Sequence, residues 1–125
     1  MADLEEATPT AIVKHIVRGI PVGRAASYGT VGRTAVALGR PMGGARTVAW
    51  ILAALEGKDD TPWHRVVGAG GVILLPDRRG ALQFSRLRGE GVHFSKGAIE
   101  PAFLIDEIGL RTLLERHPRK RPAVG

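Results

Sequence analysis

The chain has 125 residues, of which 44% are hydrophobic, and a formal net charge of +6 at neutral pH. This length is enough for one compact domain with a buried core, and no apolar run approaches the roughly 20 residues of a membrane span. The sequence contains no cysteine, which excludes disulfides, iron–sulfur clusters, thiolate metal ligands and a cysteine nucleophile.

The four histidines are scattered without the spacing of a metal site, so we expect neither a metal nor a cofactor. They are His15, His64, His93 and His117. Residues 3–6 are largely acidic and contain no apolar core, so they do not resemble a secretory signal. Together with the absence of cysteine, this predicts a cytoplasmic protein.

Basic residues are concentrated in two stretches of the chain. Residues 7–55 contain no acidic residue but include Lys14, Arg18, Arg24, Arg33, Arg40 and Arg46. The second group, interrupted only by Asp77, consists of Arg65, Arg78, Arg79, Arg86 and Arg88. Such a distribution is typical of proteins that bind polyanions, with solvated arginines as the alternative interpretation. Residues 118–125, which include Arg119, Lys120 and Arg121, are expected to form a disordered basic tail.

Two helices are predicted first along the chain. The first begins at Pro9 with Thr8 as its N-cap, and it ends before Pro21. Its apolar residues recur at helical spacing: Ile12, Val13, Ile16, Val17 and Ile20. Ser27 caps the second helix, which Gly39 and Pro41 end. Its apolar face consists of Val31, Ala35 and Leu38.

A third helix is predicted between Gly44 and Gly57. One side of this helix is apolar and consists of Val48, Ile51, Leu52 and Leu55. Because Trp50 lies among these residues in the sequence, we expect it to belong to the core as well.

The chain then changes character. Residues 66–75 predict a β-hairpin in which two apolar stretches flank a Gly-Ala-Gly-Gly turn, and Pro76 ends its second strand. A fourth helix is predicted over 81–90, with Leu82 and Leu87 facing inward and Gly91 as its cap. The last predicted helix spans about 103–116, before Pro118, and its apolar residues are Leu104, Ile108, Leu110, Leu113 and Leu114.

Three short helices followed by a small hairpin form the element order of a winged helix-turn-helix domain. We therefore predict a mainly α fold with a small β-hairpin over residues 1–117. The third helix, which includes Arg46 in its first turn, is then the candidate helix for contact with DNA.

Residues 62–66 have the sequence Pro-Trp-His-Arg-Val, and they follow Ser-Tyr-Gly at 27–29 and Ala-Arg-Thr-Val at 45–48. In this order the motifs resemble the DNA-binding domain of the O6-alkylguanine-DNA alkyltransferases, over about residues 8–92. That family carries Pro-Cys-His-Arg-Val, and its cysteine accepts the alkyl group. Because Trp63 occupies the cysteine position, the chain is similar to the alkyltransferase-like proteins, which keep the lesion-binding domain without the acceptor.

The resemblance implies roles for three residues. Tyr28 would press on the target phosphate and help to rotate the nucleotide outward, while Arg46 would enter the duplex from the minor groove and fill the vacated space. Trp63 would line the pocket for the alkylated base. The interval between Tyr28 and Arg46 is longer than in family members by about one helical turn, so Arg40 is the alternative finger. The usual family glycine after Val48 is replaced here by Ala49.

The remaining candidate site residues are His64, Arg65, Arg78 and Arg79. With no thiol to deprotonate, His64 is expected to be held by local hydrogen bonds, and no relay acid can be assigned to it. Arg65 suits a structural salt bridge as well as a contact with DNA or the pocket. Arg78 and Arg79 follow the predicted hairpin, where phosphate contacts and simple exposure are both compatible with the sequence.

The leading hypothesis is a noncatalytic sensor that binds double-stranded DNA containing O6-alkylguanine, flips the damaged nucleotide and flags it for nucleotide excision repair. We expect a monomer that associates with the nucleoid when bound to DNA. The first alternative is a winged-helix transcription regulator that reads intact DNA, although the chain has no asparagine and only one glutamine, Gln83, for reading adenine. The second is a DNA glycosylase, whose carboxylate would come from Asp59 or Asp60.

Overall fold

The computed structural model describes residues 8–116, and it confirms a mainly α fold with a small β component. Its helices are α1 (Pro9–Arg18), α2 (Tyr28–Ala37), α3 (Ala45–Leu55), α4 (Asp77–Gly89) and α5 (Glu107–Arg116). Its strands are β1 (Ala26–Ser27), β2 (Val66–Val67), β3 (Phe94–Ser95) and β4 (Ala98–Ile99), and short 3-10 turns span Trp63–Arg65, Ala69–Gly71 and Pro101–Phe103. The predicted stop at Pro118, the basic tail over 118–125, His117 and the acidic residues 3–6 lie outside the described residues.

The first helix forms as its local sequence predicts. The hydroxyl of Thr8 accepts a hydrogen bond from the Ala11 amide at 3.2 Å, and Pro9 occupies the first helical position, where its missing N–H is harmless. The helix ends at Arg18, before Pro21. Its buried residues, Ile12, Val13, Ile16 and Val17, form the centre of the larger core cluster.

Helices α2 and α3 form the helix-turn-helix. The Ser27 hydroxyl caps α2 by accepting from the Thr30 amide at 3.0 Å, as predicted. Val31 and Ala35 of α2 and Val48 and Leu52 of α3 are buried in the same cluster. Because α3 turns these residues inward, its opposite face, with Arg46, lies in solvent.

The predicted burial of Trp50 is wrong, since its side chain is 79% exposed. The inward face of α3 follows the spacing 48, 51, 52, 55. A residue two positions after Val48 is rotated by about 200° around the helix, so Trp50 lies on the outer face.

The predicted hairpin over 66–75 is also wrong. Val66 and Val67 pair in parallel with Ala26 and Ser27, and residues 72–76 form no strand. Between them, Ala69–Gly71 makes a 3-10 turn that is closed by a 2.7 Å hydrogen bond from the Gly68 amide to the Val72 carbonyl. The antiparallel hairpin lies later in the chain, where β3 and β4 flank Lys96 and Gly97. Both of these residues have positive φ, as a two-residue hairpin turn requires.

The last two helices differ from the prediction in where they begin and in the burial of two apolar side chains. Helix α4 begins at Asp77, earlier than predicted, and α5 begins at Glu107, later than predicted. Leu87 is buried as expected, whereas Leu82 is 45% exposed because α4 turns Gly80, Gln83 and Leu87 inward. Ile108 is 70% exposed because Leu110 and Leu114 form the inner side of α5. No helix among residues 8–116 is long and apolar enough to cross a membrane.

A buried glycine lets the chain before α4 approach the helix closely. A Cβ at Gly80 would overlap the carbonyl oxygen of Leu75. We therefore expect Gly80→Ala to lower the free energy of unfolding by about 1–3 kcal/mol. Gly89→Ala is the matched control, since a Cβ at Gly89 in the same helix meets open space and should be neutral or stabilising by up to about 1 kcal/mol. Urea unfolding followed by circular dichroism measures both, and equal stability of the two variants would contradict this packing.

Candidate nucleic-acid interface

The short parallel pair of strands brings the two most informative motifs together. The turn Trp63–Arg65 leads directly into β2, while β1 leads directly into α2. Ala26 is in register with Val66 and Ser27 with Val67, so the turn enters this parallel pair at one end and α2 leaves it at the other. Tyr28 and Trp63 both belong to the larger buried cluster, although they are distant in the sequence.

Gln83 fixes the backbone of this turn. Its side chain is fully buried, and its amide nitrogen donates to the carbonyl oxygens of His64 (3.1 Å) and Val66 (2.7 Å). A hydrogen bond of this kind contributes about 0.5–1.5 kcal/mol to stability. The chain's only glutamine therefore supports the turn from α4 and is not available to read a base.

Glu90, which follows α4, holds both side chains after Trp63. Its Oε2 lies 2.8 Å from His64 Nε2. Arg65 pairs with the same carboxylate through Nε, 2.9 Å from Oε1, and Nη2, 2.8 Å from Oε2. Arg65 also donates from Nη1 to the carbonyl of Ile20 at 2.9 Å. Arg65 therefore forms a salt bridge within the protein, and His64 is held by a hydrogen bond to a residue 26 positions away in the sequence.

The ionisation states of this group follow from its surroundings. Burial by itself would raise the pKa of Glu90, but hydrogen bonds from Arg65 and His64 outweigh burial and lower this pKa to about 2. Burial lowers the pKa of His64 although Glu90 opposes the change, so the imidazole is neutral at neutral pH. A neutral histidine that donates to a carboxylate through Nε2 has an unprotonated Nδ1. That Nδ1 is buried and has no hydrogen-bond partner in the described part of the chain.

Trp63 lies in a closed site with a cationic neighbour. Its side chain is only 7% exposed, and the guanidinium carbon of Arg86 lies 5.4 Å from the ring centroid. The His64 ring meets the indole edge-on, with centroids 6.1 Å apart. An indole in this position offers an apolar face and one N–H donor, and the cation over it strengthens the contact by about 0.5–2 kcal/mol.

Tyr28 lies beside an ion pair that links α3 to α4. Arg79 donates to Glu56 through Nε and Nη2, at 2.8 Å each. Burial raises the pKa of Tyr28, the negative charge of Glu56 raises it further, and Arg79 opposes both effects. The phenol, which is 9% exposed, is therefore a protonated donor at neutral pH.

Three other candidate arginines have different surroundings. Arg46, in the first turn of α3, and Arg78, in the first turn of α4, are both exposed and have no hydrogen-bond or ion-pair partner within residues 8–116. Arg40, the alternative finger, lies partly buried in the loop between α2 and α3. The structure thus places Tyr28 near Arg79, buries Trp63 in the same core cluster as Tyr28, and leaves Arg46 on the outer face of α3.

Sequence reasoning missed four residues of this region: Glu56, Gln83, Arg86 and Glu90. A signal for three of them was present, because 79, 83, 86 and 90 are spaced by three or four residues and so share one face of a helix. Arg79 begins this polar stripe, and all four of its residues contact partners near Trp63 or Tyr28. The helix predicted over 81–90 already contained Gln83, Arg86 and Glu90, and only Arg79 lay before its predicted start.

A cleft also lies outside this region. An open cleft of about 610 Å³ separates the start of α2 from α5, and its walls include Arg24, Ser27, Thr30 and Asp106. Among the described residues, no group of three or more histidine, aspartate or glutamate side chains is arranged to hold a metal ion.

The Glu90 cluster makes stability depend on pH. The native pKa of Glu90 lies below its ordinary value of 4.5, so the ionised group stabilises the fold above that pH and the stabilisation is lost as the pH falls towards 2. The lowered pKa of His64 acts in the same direction below about 6.5, because the unfolded state then binds the proton more readily. We expect Glu90→Gln to lower the free energy of unfolding at pH 7 by roughly 2–4 kcal/mol and to flatten its pH dependence in acid.

Urea unfolding over a pH series measures this effect. Glu100→Gln is the control, because Glu100 is more exposed and lies 3.9 Å from its partner, His93. A Glu90→Gln profile parallel to that of the unmodified protein would contradict the assignment.

Comparisons with known proteins identify the family of this chain. The family described as "6-O-methylguanine DNA methyltransferase, DNA binding domain" matches residues 9–92. A crystal structure of S. pombe Atl1 in complex with damaged DNA containing O6-carboxymethylguanine is 30% identical, covers 78% of this chain and 94% of its own, and has a TM-score of 0.61. A second structure, S. pombe ATL in complex with DNA, is 28% identical, covers 85% of this chain and 99% of its own, and has a TM-score of 0.62.

No curated protein sequence matches the chain. The family match spans more than half of the chain, and Atl1 resembles it along nearly the whole Atl1 length. The chain therefore belongs to the family of the 6-O-methylguanine DNA methyltransferase DNA-binding domain, as an alkyltransferase-like protein.

Proposed function

We propose that this protein is a noncatalytic sensor of O6-alkylguanine in duplex DNA. The observation that carries the proposal is the buried indole of Trp63, which occupies the acceptor position of the motif at 62–66 and belongs to the same core cluster as Tyr28. The S. pombe relative bound to DNA containing O6-carboxymethylguanine supports the same class of ligand. The protein acts by binding and releases the DNA chemically unchanged.

The residues at the site support recognition without transfer. Alkyl transfer by this family's route needs a thiolate, and the chain has no cysteine. The indole N–H of Trp63 is a donor with no nucleophilic lone pair. At this site there is no thiol for the His64–Glu90 pair to deprotonate. The pair instead positions the turn that carries Trp63.

Recognition requires the damaged nucleotide to leave the base stack, which costs a few kcal/mol. O6-alkylguanine pairs poorly, so its extrusion costs less than that of guanine. Tyr28, protonated at neutral pH, donates to the target phosphate. Arg46 enters the duplex and replaces the extruded base, for which its exposed and unpaired guanidinium is suited.

The extruded base then enters the site at Trp63. Because Trp63 and Tyr28 are buried in the free protein, the surrounding side chains move apart when the base enters. The Glu56–Arg79 pair joins α3 to α4 across this region, so its opening releases Arg79 towards the DNA. Arg78 contacts the phosphates, while Arg65 and His64 stay with Glu90 and hold the turn.

The bound complex marks the lesion for other proteins. Because the alkyl group stays on the base, repair requires removal of the damaged nucleotide, and nucleotide excision repair performs removal of this kind. We propose that a monomer of this cytoplasmic protein, associated with the nucleoid through DNA, flags the lesion for that machinery.

A binding titration tests the function. Two duplexes that differ only by one O6-methylguanine are compared at near-physiological salt, because the +6 charge adds nonspecific attraction. We expect tighter binding to the lesion duplex in each of two sequence contexts. Equal affinity with preference for one intact sequence would identify a transcription regulator instead, and release of a free base would identify a glycosylase.

Arg46 is tested by Arg46→Ala on the same duplexes. The extruded state loses the group that fills the stack, so we expect the lesion preference to fall by about tenfold or more. Arg116→Ala is the charge-matched control, since Arg116 is exposed at the end of α5. If Arg46→Ala retains the preference while Arg40→Ala loses it, the finger is Arg40.

A further inference from the structure

The outer face of α3 presents a large aromatic side chain to solvent. Trp50 is 79% exposed, whereas Trp63, the other tryptophan, is almost fully buried. Within residues 8–116, Trp50 makes no aromatic or cation–π contact. Covering an exposed large apolar side chain is worth roughly 1.5–3 kcal/mol, so Trp50 can contribute to the affinity for a partner that packs on this face.

Trp50 shares this face with Arg46. The two residues are four positions apart, which places their Cβ atoms about 5–6 Å from each other on the same side of the helix. Their exposed neighbours on α3 are small, namely Ala45, Ala53 and Ala54, with Ala49 partly exposed. The indole therefore projects beyond its small neighbours, on the same face of the helix as Arg46.

The charge around this face indicates the chemistry of the partner. No acidic residue occurs between residues 7 and 55, and Glu56, just after α3, is already paired with Arg79. Arg46 has no anionic partner within the described chain. A projecting aromatic ring beside an unpaired arginine on an acid-free face fits a polyanion with stacked bases better than it fits an apolar protein surface.

We propose that Trp50 is a second DNA-contacting residue of α3, which packs its indole against a base or deoxyribose near the step that Arg46 enters. This inference rests on the proposed function, because that function assigns α3 to DNA. The rise from residue 46 to 50 is about 6 Å, close to two base steps of about 3.4 Å. Trp50 therefore acts as an apolar wedge one or two steps from the finger, as aromatic and aliphatic residues do in other minor-groove binders.

The contact is independent of the lesion, because undamaged bases and sugars offer the same surfaces. Arg46 and Trp63 set the preference for the lesion, while Trp50 adds affinity for any duplex in which the helix is seated. The contribution of Trp50 to affinity can therefore be measured separately from the preference for the lesion.

Affinity measurements on matched variants test it. Trp50→Ala is compared with Trp50→Phe, which keeps an aromatic face, and with Ile108→Ala, which removes an exposed side chain from α5. We expect Trp50→Ala to weaken binding to the O6-methylguanine duplex and to the plain duplex alike, by about fivefold or more. Trp50→Phe should recover most of the loss, and Ile108→Ala should bind like the unmodified protein. Equal urea midpoints would show that no variant is misfolded.

Fluorescence gives an independent readout. In Trp63→Phe the sole indole is Trp50, and we expect plain duplex DNA to quench its emission and to shield it from acrylamide. Unchanged affinity of Trp50→Ala, together with an indole equally open to acrylamide with and without DNA, would overturn the inference and leave lesion sensing intact. Equal affinity for damaged and plain duplexes with a protected Trp50 would instead refute lesion sensing alone, and absence of DNA binding would refute both.

Sedimentation of the free protein tests whether a second copy of the chain, and not DNA, covers this face. A dimer that forms with rising concentration and is lost in Trp50→Ala would show that a second copy covers this face, and would overturn the assignment to DNA.

Discussion

The carboxylate of Glu90 is the constraint on which the rest of the site depends. It holds His64 and Arg65 at once, and Arg65 extends the link to the carbonyl of Ile20, beyond the end of α1. One side chain at the end of α4 therefore joins the turn Trp63–Arg65 to the first helix. With Gln83 bonded to the backbone of the same turn, the position of Trp63 is determined from α4.

This arrangement explains why a histidine beside an acid remains where no thiol needs activation. Removing either partner of a buried charged pair leaves the other without compensation, which is far more destabilising than the pair itself is stabilising. Trp63→Ala would empty the site, but loss of Glu90 would release His64 and Arg65 together and free the whole turn. In this chain the polar cluster is a support, and in the proposed function the recognition surface is the indole of Trp63, over which Arg86 lies.

The elements that could be predicted from the sequence are those fixed by neighbouring residues. Thr8 and Ser27 cap their helices through hydrogen bonds that span three positions, and the apolar spacing of α1 and α3 determines which side is buried. The partners of Val66 and His64 lie far away in the sequence, so local patterns could not identify β1 or Glu90. Trp50 is a different case, because the prediction followed its nearness in sequence to Val48, Ile51 and Leu52, whereas the helical spacing of those residues places it on the outer face.

In the proposed mechanism, the outward and inward parts of the site act in sequence. Arg46 and Trp50 lie on the exposed face of α3, so they can meet a duplex before any side chain moves. Trp63 and Tyr28 are enclosed, and the Glu56–Arg79 pair joins the two helices beside them. Contact with the outer face is therefore available to every stretch of DNA, whereas the inner site is reached only when a base has left the stack and the enclosure has opened. The preference for damaged DNA then depends on how weakly the inspected base is paired. A nucleotide that keeps an intact base pair is extruded less readily and so reaches the inner site less often.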